Sequence, residues 1–385
     1  MTDTDRRTFL ALAAAGMTGL AAGRAMAASN PWKDAMIVNA LGGLDNPNVP
    51  SDAGSGLGPS GPRKRMTLDA RTLADAQASG LTAVNCTLGY VAGPAEPFEA
   101  TVSEIAAYDR MIADYPQHLT KILTAADFAR AKRERKIGLI YGFQNATQVG
   151  TSLERIDMFA DLGARVIQLT YNPANQIGDG ATAPENRGLT PFGREVIERL
   201  NANRIMVDLS HSGEATCLEA ARLSKQPISI NHTGCRALVD LPRNKTDAEL
   251  KLVADRGGFV GIYFMPFLHP KGQVTAADIV AHIEHAVQVC GEDHVGLGTD
   301  GPVTQVDDLV AYRQAIAKEV EARRQAGIGA PGESADILKF AIDLRGANQF
   351  YDLADRLKAR GHSSARIEKI LGGNFVRYAR DIWGG

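Results

Sequence analysis

Four cysteines in 385 residues, none in a CxxC spacing, are too few for a disulfide framework. Cys86, Cys217 and Cys290 read as small buried hydrophobes. Cys235 reads the same way, and lying three residues after His232 it is also the one cysteine with a candidate site role. An excess of charge is missing too: 42 Lys and Arg face 44 Asp and Glu, a formal net charge of −2. No basic field exists to attract nucleic acid, and the short basic clusters at 63–65 and 132–136 read as solvated surface. No uncharged stretch is long enough to span a bilayer comfortably, so no stable membrane anchor is expected. Nothing like GxGxxG follows the first apolar run, which argues against a doubly wound dinucleotide-binding sheet. What remains, 44% hydrophobic and 22% charged residues, is the mix of an ordinary globular protein.

The N-terminus reads as an address. Arg6-Arg7-Thr8-Phe9-Leu10 places twin arginines before an uncharged Ala- and Gly-rich stretch, and Ala25-Met26-Ala27 follows as a small-x-small cleavage site. Residues 1–27 are therefore expected to be a twin-arginine signal peptide, and residues 28–385 a single periplasmic domain.

Short apolar runs recur along that domain, at 36–41, 82–88, 137–143, 165–170, 205–209, 227–231, 258–264 and 294–299. They are rich in Val, Ile and Leu with little alternation, as strands buried on both faces of a parallel sheet are. Amphipathic stretches lie between them. Thr124-Ala-Ala-Asp127, Thr246-Asp-Ala-Glu249 and Thr275-Ala-Ala-Asp278 resemble capping boxes, and Thr190-Pro191 opens another helix. Eight strands alternating with helices predict an α/β fold, a closed (β/α)8 TIM barrel, with further helices beyond Asp300. Two loops leave strand C-termini, 45–65 after the first run and 172–189 after the fourth, and both should overhang the face where such barrels keep their sites.

Chemistry is then expected at strand ends. Reading those positions gives Asn39, Leu41, Thr87, Gln144, Asn145, Tyr171, His211, His232, Tyr263 and Asp300. Histidines closing the fifth and sixth runs and an aspartate closing the eighth can converge on one cation, and neutral imidazoles with a carboxylate suit zinc. His282 and His285, at i and i+3 on a later helix, read as a solvated face of the outer ring.

The pieces Asp208-Leu-Ser-His211, Asn231-His232-Thr233, Pro242-Arg243-Asn244, Gly257-Gly258, His294-Val-Gly-Leu-Gly-Thr-Asp300 and Gly372-Gly373-Asn374 resemble, in order and spacing, the membrane (renal) dipeptidase family, the M19 metallopeptidases. The resemblance spans essentially all of residues 28–385. It implies a metal-dependent-hydrolase barrel in which two bridged zinc ions hydrolyse dipeptides. It also implies departures. The family's first-strand His-x-Asp pair falls on Leu41-Gly42-Gly43, its bridging glutamate on Gln144, and its substrate-polarising histidine on Tyr171. His211, His232, Arg243 and Asp300 are kept.

A neutral amide cannot bridge two cations as a carboxylate does. The expectation is therefore one zinc ion held by His211 and His232 with Gln144 or Asp300, and catalytic roles for Asp300 and Tyr171. Tyr171 would donate to a developing oxyanion. Arg243, with Tyr171 and Asn145, would bind substrate, the guanidinium gripping a carboxylate. The expected partner is a small peptide or amide, and an oligomer is compatible with the sequence. Two other readings stay open: a lyase or isomerase using His211 or His232 as an acid–base group, and a non-catalytic periplasmic binding protein.

Overall fold

The apolar runs become strands that are buried along most of their length, as residues packed between a barrel interior and an outer helix ring are. A computed structural model describes residues 30–49, 68–270 and 272–384. Two compact units divide the chain, Met1–Asp34 and Ala35–Gly385. The twin-arginine segment and most of the first expected lid lie outside the described residues, so the boundary at 27/28 does too.

The second unit carries β1 (Ile37–Gly43), β2 (Leu81–Leu88), β3 (Leu119–Lys121), β4 (Ile137–Phe143), β5 (Ala164–Gln168), β6 (Met206–Asp208), β7 (Ser229–Thr233), β8 (Phe259–Ile262), β9 (Val295–Leu297) and β10 (Gly301–Pro302). Every strand pairing is parallel, in the order β10-β1-β2-β4-β5-β6-β7-β8-β9. β9 and β10 are one course of chain interrupted at 298–300. The pairing of Gly42 with Gly301 and of Gly43 with Pro302 therefore brings the last stave back onto the first. Across that seam the Asp300 N–H donates to the Leu41 carbonyl at 2.9 Å. The result is the (β/α)8 barrel, with the short β3 paired to the start of β4.

Around it run α1 (Ala70–Ala78), α2 (Pro97–Asp114), α3 (Ala126–Glu134), α4 (Glu154–Asp161), α5 (Pro191–Ala202), α6 (Glu214–Leu223), α7 (Asp247–Asp255) and α8 (Ala276–Cys290). After them come α9 (Leu309–Gln325), α10 (Gln349–Ala359), α11 (Ser364–Glu368) and α12 (Asn374–Trp383). The Thr246 box closes on Glu249 in both directions, and the Asp278 carboxylate accepts from the Thr275 N–H and hydroxyl. At Thr124 only half the motif forms. Asp127 accepts from the N–H groups of Leu123 and Thr124, but α3 starts at Ala126 without a side-chain cap.

The C-terminal helix plugs the end of the barrel opposite the site. Phe375, Tyr378, Ile382 and Trp383 of α12 pack with Phe128 of α3 and with Ala83, Ile140, Val166 and Phe259 of the strands. Arg377 donates to carbonyls of Gly257, Gly258 and Asp293, which precede β8 and β9. Gly372 lets this plug approach β1, since a Cβ there would lie 2.4 Å from the Met36 carbonyl oxygen. The opposite, C-terminal ends of the strands stay open for function.

One expectation is corrected here. His282 is not on a solvated face but 1% exposed. Its Nδ1 accepts from the Cys235 N–H at 2.9 Å, and its Nε2 meets the Leu268 carbonyl at 3.2 Å. That pins α8 against the loop after β7, and it gives Cys235 a packing role beside His282. His285 pairs with Asp247 at 2.7 Å.

Candidate active site

β6 ends in Asp208, whose carboxylate ties together the ends of two neighbouring strands. Its Oδ1 accepts from the Ser210 N–H (3.0 Å), the Ser210 hydroxyl (2.5 Å) and the Asn231 N–H of β7 (3.0 Å). Ser210 in turn accepts from the His232 N–H at 3.1 Å. The two strand ends are thereby locked in register, which sets His211 and His232 side by side. Buried Lys245 fixes the same turn by donating to the Ser212 carbonyl and pairing with Glu249 at 3.2 Å.

The two imidazoles meet Nε2 to Nε2 at 2.9 Å. His211 Nδ1 lies 2.6 Å from Asn172 Oδ1, and the Asn172 amide orientation is set because its Nδ2 donates to the Ile328 carbonyl at 2.7 Å. His211 must then carry its proton on Nδ1 and present a lone pair at Nε2, the arrangement of a metal-binding imidazole with its outer partner. Among the described residues His232 Nδ1 has no hydrogen-bond partner. Burial, reinforced by the Arg243 charge, holds both imidazoles well below their ordinary pKa, so both are neutral bases.

Gln144, Tyr171, His211, Arg243 and Asp300 line one cavity of about 160 Å³. Gln144 Nε2 donates to Thr87 Oγ1 at 2.7 Å, leaving its Oε1 as the free atom. Tyr171 stacks on His211 with centroids 4.1 Å apart. Asp300 sits at φ 58°, a left-handed conformation that aspartate tolerates better than most residues. Burial pushes its carboxyl up to about 6, against the opposing charges of Arg243, Lys339 and Arg323. Arg243, 2% exposed, donates to the Ser210 carbonyl and lies 6.0 Å from the Tyr263 ring centroid.

Asn145 is placed elsewhere. It lines a neighbouring cavity of about 440 Å³, and its amide is occupied by Val91, Ala146 and Asn175. Of the expected lids, the loop after β5 does border the mouth. Gly180 bridges to Ser212, the Ala181 N–H donates to the His211 carbonyl at 2.7 Å, and Pro173 to Asn175 line the larger cavity.

The cavity also holds charges that strand-end reading does not find: Glu319 and Arg323 of α9, with Glu333 and Lys339 beyond it. Arg323 pairs with Glu333 at 2.7 Å and Lys339 with Glu319 at 2.7 Å. These four neutralise one another. Among the described residues Arg243 and Asp300 have no ion-pair partner in contact; they oppose each other across the cavity they both line, and each keeps its face to it open.

The donor set does not fit a two-zinc centre. Leu41 and Gly43 offer no ligand atom and Gln144 no bridging charge, and among the described residues no three His, Cys, Asp or Glu side chains gather as a metal cluster. The Asp45 carboxylate stands close to where a Gly43 side chain would begin, its Oδ1 2.4 Å from that Cβ position. The His211–His232 pair offers two neutral, buried ring nitrogens 2.9 Å apart, His211 with its tautomer fixed, which would serve as two of the ligands of a single cation.

The sequence profile of the membrane dipeptidase family, peptidase family M19, matches residues 74–328. A solved amidohydrolase from Pseudomonas aeruginosa shares 30% identity and a TM-score of 0.75, over 92% of this chain and 98% of its own. Dipeptidase tcpJ of Claviceps purpurea is 27% identical over 286 residues, 73% of this chain and 60% of that relative, so the chain spans about three fifths of its length. A metallo peptidase from Rhodobacter sphaeroides, solved with a phosphinate mimic of the dipeptide L-Ala-D-Ala, shares the fold. Its TM-score is 0.69 at 18% identity, over 90% of this chain and 99% of its own.

Proposed function

Because this chain belongs to the membrane dipeptidase family M19 and is a dipeptidase-like hydrolase, we propose that it hydrolyses a small zwitterionic dipeptide, or a similar short amide, with an altered, single-ion centre. The observation that carries this is the opposed pair Arg243 and Asp300, in a cavity whose other charges cancel. A free dipeptide brings a carboxylate and an ammonium, and neither end then leaves a buried charge alone.

Arg243 grips the carboxylate with its forked donors. Tyr171 directs its O–H at the amide oxygen, where negative charge develops as water adds to the carbonyl carbon. Asp300, ionised above about pH 6, pairs with the ammonium through one carboxylate oxygen, while the other takes the proton from that water and returns it to the leaving nitrogen as the C–N bond breaks. His211 and His232 would hold one zinc ion, which when bound supplies Lewis-acid polarisation and an acidified water. Export by the twin-arginine route, read from residues 1–27, is part of the same proposal.

Blocking the substrate's ends tests the reading. L-Ala-D-Ala should be hydrolysed, while its N-acetyl and C-terminal amide forms should each lose about a hundredfold or more in kcat/KM, the cost of leaving a buried charge unpaired. Equal turnover of free and doubly blocked peptides, followed by amine release, would sink it.

A further inference from the structure

The loop carrying Tyr171 and Asn172 is gripped from outside the barrel by one stretch of chain, 323–333, which no strand-end pattern points to. Arg323 closes α9 deep in the protein, 6% exposed, and binds Glu333 through two contacts, Nε to Oε2 at 2.9 Å and Nη2 to Oε1 at 2.7 Å. Its remaining nitrogen, Nη1, donates to the Tyr171 hydroxyl oxygen at 3.0 Å, and the guanidinium lies 5.6 Å from the Tyr171 ring centroid. Past α9 the chain turns through Gly327 at φ 68°, and the next carbonyl, that of Ile328, accepts from Asn172 (2.7 Å) and from Arg323 Nη2 (3.4 Å). Asn172 then orients His211, on which Tyr171 stacks.

We propose that Arg323, clamped by Glu333, is a positioning residue that makes Tyr171 the donor to the substrate's amide oxygen. The inference rests on the dipeptidase reading. A tyrosine oxygen has lone pairs and one proton. A guanidinium has only donors, so the Arg323 contact occupies a lone pair and leaves the Tyr171 proton to point away from Arg323, towards the cavity both residues line. A carboxylate or carbonyl in Arg323's place would take that proton and silence the group. The pair Arg323 and Tyr171 thus performs what a single histidine does where the resembling family keeps one. Glu333 fixes the fork in the plane Tyr171 requires, and the shared Ile328 carbonyl keeps Tyr171 and His211 in step.

The test compares full-length wild type with Arg323→Gln, Arg323→Lys and Tyr171→Phe. The probes are L-Ala-D-Ala turnover and calorimetric binding of a phosphinate dipeptide mimic, whose tetrahedral oxygens imitate the reacting carbonyl. The expected result for Arg323→Gln is a fall of about ten- to a hundredfold in kcat, with KM changed less than about threefold. Phosphinate affinity should drop in parallel while product affinity holds. Arg323→Lys, which keeps one cationic donor, should recover part of the loss. In Tyr171→Phe the further change Arg323→Gln should cost little, because its target is gone. A merely structural role would instead lower thermal stability, raise KM and add fully to Tyr171→Phe; that pattern overturns the proposal. Should Arg323→Gln fail to fold, Arg323→Lys and Glu333→Gln carry the same comparison. Wild type that neither binds the phosphinate nor cleaves the dipeptide overturns the underlying dipeptidase reading, and the positioning role falls with it. Tight wild-type binding that Arg323→Gln leaves intact overturns the positioning role alone.

Discussion

His232→Ala is expected to strip the bound cation and to abolish measurable dipeptide hydrolysis, and His211→Ala to do the same. The two Nε2 atoms lie 2.9 Å apart with neutral, buried rings, and among the described residues no third His, Cys, Asp or Glu gathers with them as a metal cluster. Losing an outer partner of a metal ligand alone costs about 10–100-fold in affinity, so removal of one of two imidazoles should exceed about a hundredfold. Metal per chain and thermal unfolding, measured together, separate this from a packing role. Deleting a buried ring costs stability by either account, roughly 2–4 kcal/mol by analogy with other large-to-small core changes. Only the ligand account couples that cost to lost metal. Full occupancy in both alanine variants would show that these histidines hold no ion.

Arg243→Met should raise KM steeply and, unusually for a buried residue, should not destabilise the folded protein. The guanidinium is 2% exposed and has no carboxylate partner among the described residues, only the Ser210 carbonyl and the face of Tyr263. Truncating one member of a buried charge pair costs about 2–5 kcal/mol of binding, which puts the loss in kcat/KM near thirty- to several-thousandfold. In the free protein the opposite holds. Arg243 has no ion-pair partner in contact, and its charge is offset at a distance by Asp300 and Asp208, so replacing it by an apolar side chain of similar length should leave the melting temperature nearly unchanged. The same charge opposes protonation of His211 and His232, so its loss also makes those imidazoles easier to protonate. A variant that unfolds readily yet binds substrate normally would mark Arg243 as structural.

Much of the fold is legible in the chain because burial leaves a compositional trace. All eight barrel runs form strands, since a stave packed on both faces must be a short apolar block, and that trait survives without periodicity. β3 and β10 leave no such trace, because three and two residues carry no pattern. His211, His232, Gln144, Tyr171 and Asp300 are readable as strand ends, where the barrel itself dictates that side chains meet. His282 looks solvated in the sequence because its helical spacing matches an outer face, while its partner, the Cys235 N–H, is a backbone group from a distant loop. Arg323 and Glu333 have no signal of their own. Each resembles an ordinary surface charge, and only the return of the chain after α9 turns them inward onto Tyr171. Gln144 and Gly43 are the converse: the resemblance implies which ligand atoms differ, and the geometry shows what stands there, an amide held by Thr87 and, beside Gly43, the Asp45 carboxylate.

We propose that a single ion, held by His211 and His232, serves this chain where the resemblance implies two bridged ones. Anomalous diffraction at the zinc edge, from protein purified without added metal, measures this directly. The account predicts a single peak per chain within bonding distance of both Nε2 atoms, and no second peak beside Leu41, Gly43 or Gln144. Two peaks bridged near Gln144, or none between the histidines, would contradict it.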